Sequence, residues 1–329
     1  MVNTCMYRHE RVLVTGGTGL IGRALVKLLA EAGARVRVAC HHEPVDPAPG
    51  VEYHRGDLMS RDFCKEVVKG MRFVFHLASV TGSVGVGRKR AADFFVRPLL
   101  MNTNMMEQAR LAVVERYLFA SSICVYAPAK VFVEDQAWAA PPHESDAFAG
   151  WSKRMGEMQA LAYKAQYGWD KVAIVRPVNT YGPYDNFDPK TALVIPALIA
   201  RVLGGEDPLT VWGDGTAVRD FLHCRDAARG MLLALEKSAD GTPINLGSGK
   251  GFSVREIVNA ILKVSGKVPK IVWDEDRPSG EKYRVADISR ARKLLGFEPQ
   301  VSLDDGIKET VEWYRDNHER VGPRKTAFT

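Results

Sequence analysis

Through the first half of the chain, short runs of β-branched and aromatic residues alternate with stretches in which apolar positions recur every three or four residues. RVLV (11–14), RVRVA (35–39), VEYH (51–54), RFVFHLA (72–78), RYLFASS (116–122) and KVAIVRP (171–177) have the length and composition of buried strands. Between the first two, Ile21, Leu25, Leu28 and Leu29 share one side of a helix beginning near Leu20, so one face of it can pack on a sheet. Strands separated by helices run parallel with right-handed crossovers, which makes the fold class α/β. After Pro177 the pattern changes. TALVIPALIARVL, LTVW, VRDFLH, DAARGMLLALEK, PINLG, VREIVNAILKV, KIVW, ISRARKLLG and DGIKETVEWYRDN mix short strands with helices, as suits a smaller C-terminal α+β lobe. The expected division is a first domain over 1–177, with part of 218–237 returning to it, and a second lobe over 178–329.

Composition narrows the class of protein. A chain of 329 residues that is 46% hydrophobic and 26% charged can bury a substantial core. No window approaches the roughly eighteen apolar residues of a membrane span, and the opening MVNTCMYRHE lacks the apolar centre of a secretory signal. A cytoplasmic location is therefore expected. Five cysteines, Cys5, Cys40, Cys64, Cys124 and Cys224, are odd in number and lack C-x-x-C spacing, which fits reduced thiols and neither a disulfide framework nor a metal site. The net charge of +6 is spread out apart from Arg88, Lys89 and Arg90. Without interleaved aromatics or a nucleic-acid motif, that cluster reads as a solvated face.

The first chemical signal follows the first strand. VLVTGGTGLIGRALV sets Gly16, Gly19 and Gly22 in a G-x-x-G-x-x-G run that opens the first helix. Glycine suits a tight turn that lets backbone approach a pyrophosphate, while helix N-terminal amides face its charge. The expected cofactor is thus a dinucleotide on a Rossmann-type doubly wound sheet, with Leu20 and Ile21 in the contacting first turn. At the end of the second strand, where selection of NAD calls for an acidic side chain, stand Cys40, His41 and His42. The missing carboxylate, with Arg35 or Arg37 as a source of positive charge, favours NADP and leaves NAD possible. Asp57 and Leu58 after the third strand, and His76, Leu77, Ala78 and Ser79 at the end of the fourth, are placed to line the cofactor.

SSICVY puts Ser122 at the end of the fifth strand, and AGWSKRMGE puts Lys153 one turn into a helix. With RPVNTYGP, VWGDGTAVRDFLHCRD, INLGSG and DRPSGE, these residues make the chain resemble the extended short-chain dehydrogenases/reductases across nearly its whole length, in particular the nucleotide-sugar epimerases, dehydratases and reductases. The resemblance implies hydride transfer at a secondary alcohol or ketone, with Ser122 on the carbonyl oxygen and Lys153 holding the nicotinamide ribose. That family writes Tyr-x-x-x-Lys, and four residues before Lys153 lies Ala149. Alanine has no proton to give. Either the chain is an inactivated variant, the favoured reading, or the proton travels otherwise, with Tyr126 and Tyr163 as the phenols to consider.

Where dehydratases of this group carry an Asp-Glu pair, this chain has Ile123 and Cys124, which argues against 4,6-dehydration. Cys124 resembles the acid/base cysteine of the GDP-L-fucose synthase branch, as do the stretches VTGSVGVG, ADFFVRPLLMNTNMMEQA and YGPYDNFDP. That branch places a histidine before V-I-P-A-L, and here Leu193 takes its place, so reduction of a 4-keto sugar, or epimerisation at C4 alone, is favoured over two-centre epimerisation. The resemblance further implies that Asn179, Arg219 and Arg277 hold a substrate diphosphate, with GDP as the favoured nucleotide. It also implies a homodimer built on helices around 92–112 and 150–167. Two alternatives stay open: a C4-epimerase with tightly bound NAD, and a non-catalytic dinucleotide or sugar-nucleotide sensor.

Overall fold

The computed structural model describes residues 4–277 and 281–321. Seven parallel strands form the main sheet: β1 (Arg11–Thr15), β2 (Arg35–Cys40), β3 (Glu52–Arg55), β4 (Phe73–His76), β5 (Arg116–Ala120), β7 (Val172–Pro177) and β12 (Pro243–Leu246). They lie in the order β3-β2-β1-β4-β5-β7-β12, so the chain reverses its direction of travel between β1 and β4. A crevice opens beyond the strand ends at such a reversal, and Thr15 and His76 are the strand-end residues that face it. The α/β class and the Rossmann-type parallel sheet are as expected from the strand-helix alternation.

Alternate residues of each strand feed two separate cores. On one face, Val12, Val14, Phe73, Phe75, Leu118 and Val175 pack with Leu25, Val26 and Leu29 of α1 (Leu20–Glu31) and with Met231 to Leu235 of α7 (Cys224–Lys237). On the other, Leu13, Val74, Tyr117, Phe119 and Ile174 meet Val67 and Val68 of α2 (Arg61–Val68), Met105, Met106 and Ala109 of α4 (Ala91–Leu111) and Ala160 of α5 (Ala147–Tyr167). The short α3 (Val84–Lys89) precedes α4. Two-sided burial explains why these strands read as nearly continuous apolar runs. The seventh strand comes from 243–246, outside both segments that the sequence assigned to the first domain.

The remaining elements surround a third core of Tyr181, Ile195, Leu198, Ile199, Leu209, Val211, Phe221, Ile257, Ile261, Ile307 and Val311. Its helices are α6 (Val194–Leu203), α8 (Val254–Ser265) and α10 (Leu303–Val321), while α9 (Ser289–Leu295) packs on α7. Ser253 and Glu256 close the start of α8 as a reciprocal capping box. A four-stranded sheet runs β13 (Phe252–Ser253), β10 (Val218–Arg219), β15 (Tyr283–Ala286), β6 (Val131–Phe132). Two pairs, β8 (Asn179–Tyr181) with β11 (Phe221–His223) and β9 (Leu209–Trp212) with β14 (Ile271–Asp274), complete the lobe.

VRDFLH is split between β10 and β11 because Asp220 turns inward. Its carboxylate accepts hydrogen bonds from the amides of Ser248 (2.9 Å), Gly249 (3.2 Å) and Ala286 (3.3 Å) and from the Ser248 hydroxyl (2.6 Å). Four donors offset the cost of burying the charge and tie three segments together. Among the described residues, no helix is long and apolar enough to cross a membrane.

Candidate active site

The glycine run forms the turn between β1 and α1. Gly16 has a φ of +69°, a left-handed conformation open to glycine, and a Cβ there would meet the Ala78 nitrogen at 2.8 Å. A Cβ on Gly22 would lie 2.1 Å from the Gly16 carbonyl oxygen, so the helix can sit on its own turn only without one. Gly19 is the N-cap of α1 and supplies no side-chain cap, while Leu20 and Ile21 stand half-buried in the first turn. The first-turn amides are thus directed at whatever occupies the cradle. These features fit a dinucleotide diphosphate.

Buried polar contacts hold the floor of that turn. The Ala78 amide donates to Thr15 Oγ1 (3.2 Å), which lies 2.8 Å from His76 Nδ1, and His76 Nε2 reaches Asn102 Oδ1 at 3.0 Å. With Asn102 accepting, His76 carries its proton on Nε2 and accepts the Thr15 hydroxyl on Nδ1. Burial, and then the charge of Lys153, push the imidazole down to about 3, so it is neutral.

The other expected cofactor residues lie along the same edge. Cys40 is buried, with its thiol 3.6 Å from the His54 carbonyl, whereas His41 is exposed, its ring 4.8 Å from that of His42. Asp57 closes a local turn by accepting the Met59 amide at 2.9 Å, and Leu58 joins the second core. Leu77, Ala78 and Ser79 are half-buried after β4. Arg35 and Arg37 do not supply charge here. They open β2, with Arg37 three residues and therefore about 10 Å behind Cys40, and the Arg37 guanidinium is held by Glu52 at 3.1 Å and by the Val67 carbonyl. A residue without any sequence signal is Arg23, directly after Gly22. It donates to the carbonyls of Thr18 (3.2 Å), Asp46 (3.1 Å) and Val45, and stacks 4.2 Å over the Tyr184 ring, joining the glycine turn to the 41–50 loop and to the second lobe.

Two strands away, β5 ends at Ala120 beside the first turns of α5. Lys153 is 7% exposed, donates from Nζ to the Ala120 carbonyl at 2.7 Å and lies 5.3 Å from the Phe119 ring centre. Burial lowers its ammonium to about 8. Ser122 Oγ accepts the Cys124 amide at 3.2 Å. Burial and then Asp146 raise the Cys124 thiol to about 11, against the opposing influences of Ser122, Arg284 and Lys153. At neutral pH this thiol is protonated, a donor and not a resting base. A Cβ on Gly150 would lie 2.3 Å from the Cys124 carbonyl oxygen, so α5 begins hard against the Ser122–Cys124 turn. Ala149 stands there half-buried, its carbonyl accepting the Ser152 hydroxyl at 2.8 Å.

Neither Tyr126 nor Tyr163 offers its phenol at this strand end. Tyr126 is buried and bound to Asn245 (2.6 Å) and Arg176 (3.0 Å), and Tyr163 lies against Tyr167 and Trp169, ten residues or about 15 Å along α5 from Lys153. Beneath the strand end runs a network absent from the sequence reading. Glu157, 2% exposed, accepts Ser121 Oγ (2.5 Å) and both forks of Arg176 (2.9 and 2.7 Å). It locks α5 to β5 and β7.

Of the residues expected to hold a diphosphate, the Asn179 amide donates to the Asp220 carbonyl at 3.1 Å, and Arg219 Nη1 to the Val218 carbonyl at 2.8 Å. Arg277 has its own neighbours. It is exposed, 3.6 Å from Asp274 and 5.6 Å from the ring of Trp212, itself 58% exposed, and residues 278–280 of DRPSGE lie outside the described residues. Leu193, at the N-cap of α6, is exposed and offers no acid. Arg284, which the sequence reading passed over, bonds Asp146 at 2.9 Å next to Arg219. No group of three or more metal-ligating side chains occurs among the described residues.

Comparison with known proteins matches residues 12–247 to the model of the NAD dependent epimerase/dehydratase family. GDP-L-fucose synthase 1 of Arabidopsis thaliana is 30% identical over 323 residues, covering 96% of each chain. A dTDP-4-dehydro-6-deoxy-D-allose reductase of Streptomyces bikiniensis is 30% identical over 316 residues, 92% of this chain and 96% of that one. Among solved structures, an epimerase of Methanothermobacter thermautotrophicus superposes with a TM-score of 0.85 at 28% identity, covering 97% of this chain and 96% of its own.

Proposed function

The chain belongs to the NAD dependent epimerase/dehydratase family, and from this premise we propose that it is an NADPH-dependent reductase of a 4-keto nucleotide sugar, GDP-linked, whose proton delivery is disabled at Ala149. One observation carries the reading: a hydroxyl (Ser122), a protonated thiol (Cys124) and a buried ammonium (Lys153) meet at the end of β5, with alanine where a phenol would complete them. When bound, the dinucleotide supplies the hydride. Gly16, Gly19 and Gly22 cradle its diphosphate against the amides of α1, and the absence of a carboxylate at Cys40, His41 and His42 leaves room for a 2′-phosphate. Lys153, positive below about pH 8, holds the ribose, and Ser122 hydrogen-bonds the carbonyl oxygen.

A thiol with a raised pKa does not abstract a proton at neutral pH, and Leu193 offers no partner acid, so reduction is favoured over two-base epimerisation. Similarity to a GDP-L-fucose synthase and to a 4-dehydro-6-deoxy sugar reductase supports the substrate class. The outward faces of α4 and α5 expose Val96, Leu100, Phe148 and Met158, apolar side chains suited to a homodimer. The test is Ala149→Tyr, assayed by NADPH consumption with GDP-4-keto-6-deoxy sugars. Turnover is expected to rise about 10²- to 10⁴-fold; no gain on any 4-keto nucleotide sugar rejects the reading.

A further inference from the structure

Between Cys40 at the end of β2 and Gly50, the chain carries Pro44, Pro47 and Pro49, so this stretch is a stiff strap. Its tip is turned by a left-handed φ of +51° at Asp46, and it re-enters the fold through Gly50 at +73°. The Ala48 amide anchors its returning limb to the Tyr53 hydroxyl at 2.9 Å. The tip is fastened from two sides. From the first domain, the Arg23 guanidinium divides its donors between the Thr18 carbonyl of the glycine turn and the carbonyls of Val45 and Asp46. From the second lobe, Arg320 near the end of α10 donates to Asp46 Oδ1, and the Tyr184 hydroxyl reaches Asp46 Oδ2 at 3.5 Å. The Tyr184 ring covers Arg23 and is itself backed by Trp313, 4.5 Å away between ring centres.

We propose that this strap is a gate for the dinucleotide and that Asp46 with Arg320 is its latch, through which the second lobe sets how fast the cofactor enters and leaves. The inference rests on the dinucleotide-binding part of the reading above and not on the sugar. The strap sets out from the strand end beside which a bound ribose lies and is tied to the turn that receives the diphosphate, so it flanks the adenosine half of the cofactor. Arg23 donates to carbonyls and Arg320 to Asp46, so both are positioning residues that act through the strap. A fastening that does not touch the ligand alters the frequency of opening alike for the empty and the occupied site. It therefore changes both rates and leaves the affinity in place. Salt reads the latch as well, because Asp46 and Arg320 have side-chain exposures of 31% and 55%, where mobile ions screen the pair.

Stopped-flow fluorescence with NADPH tests this in Asp46→Ala and Arg320→Ala, with association and displacement rates measured on the same preparations as melting temperatures. Each variant is expected to raise both rates together by about threefold to tenfold, while the dissociation constant moves by less than about twofold. The double variant is expected to be no faster than either single one, since the two side chains form one fastening. Raising the salt from about 0.05 M to about 0.5 M should shrink the difference between wild type and variants to less than about twofold. An ion pair that is only structural moves the melting temperature and neither rate, and that result overturns the proposal. Faster release with unaltered association, and affinity lost in proportion, overturns it too, because the residues would then be binding contacts and not a gate. Failure of the wild type to bind either NADPH or NADH would sink the dinucleotide reading itself, whereas wild-type binding with rates indifferent to both substitutions sinks this inference alone.

Discussion

The turn after β1 and the strand end after β5 lie on one edge of one sheet, yet they carry function in opposite ways. At the first, the working feature is an absence of atoms: Gly16 and Gly22 leave space that a single methyl would fill, and the backbone itself forms the cradle. At the second, the working features are side chains mounted on a rigid frame, where Ala149 occupies its position while the Glu157–Arg176 lock below remains intact. Chemistry and scaffold coincide in one region and are separable in the other. The glycine turn therefore has no room for added atoms at Gly16 and Gly22, while the strand end carries its side chains on a frame that the Glu157–Arg176 pair holds from below.

The most severe way to break this contrast is to attack the frame. Glu157→Gln leaves the buried Arg176 charge poorly answered and is expected to cost about 3–5 kcal/mol in a denaturant titration. A loss below about 1 kcal/mol would show that the lock does not hold α5. Next, Gly22→Ala sets a methyl against the Gly16 carbonyl and is expected to cost about 1–3 kcal/mol and at least tenfold in NADPH affinity, read by fluorescence titration. Undiminished affinity would mean that the turn can relax.

A gentler probe is acid. His76 falls from 6.5 to about 3 on folding, and His223, buried at the start of α7, to about 4. The folded state binds fewer protons than the unfolded chain, so the stability they contribute is complete above pH 6.5 and is lost as pH falls towards these lowered values. The slope approaches about 1.4 kcal/mol per pH unit for each histidine, and denaturation curves between pH 7 and pH 4.5 should show it, with a shallower slope in His76→Gln. The smallest perturbation is alkylation. At pH 7.5 iodoacetamide is expected to label exposed Cys5 well before Cys124, whose rate should climb as pH approaches 11, as followed by peptide mass spectrometry.

What could be read in advance follows the same division. The parallel strands, the glycine turn and the positions of Ser122 and Lys153 were legible because each depends on local pattern: apolar runs, fixed glycine spacing, a helix next to a strand end. The Ser121–Glu157–Arg176 network was not, because hydropathy assigns charged residues to the surface and only the fold shows that these three meet in the interior. Strand register likewise brings Arg284 beside Arg219 from 65 positions away, with nothing local to announce it. Arg35 and Arg37 differ in kind: they are near Cys40 in sequence, but an extended strand carries its first residues away from the edge where its last ones act.

Gly150 fixes how closely helix and turn can meet. With no Cβ between them, α5 starts directly against the Cys124 carbonyl, and a methyl at 150 would have to push the two apart. The spacing between Lys153 and the Ser122–Cys124 turn is thus set by a missing carbon and not by the side chains that line it.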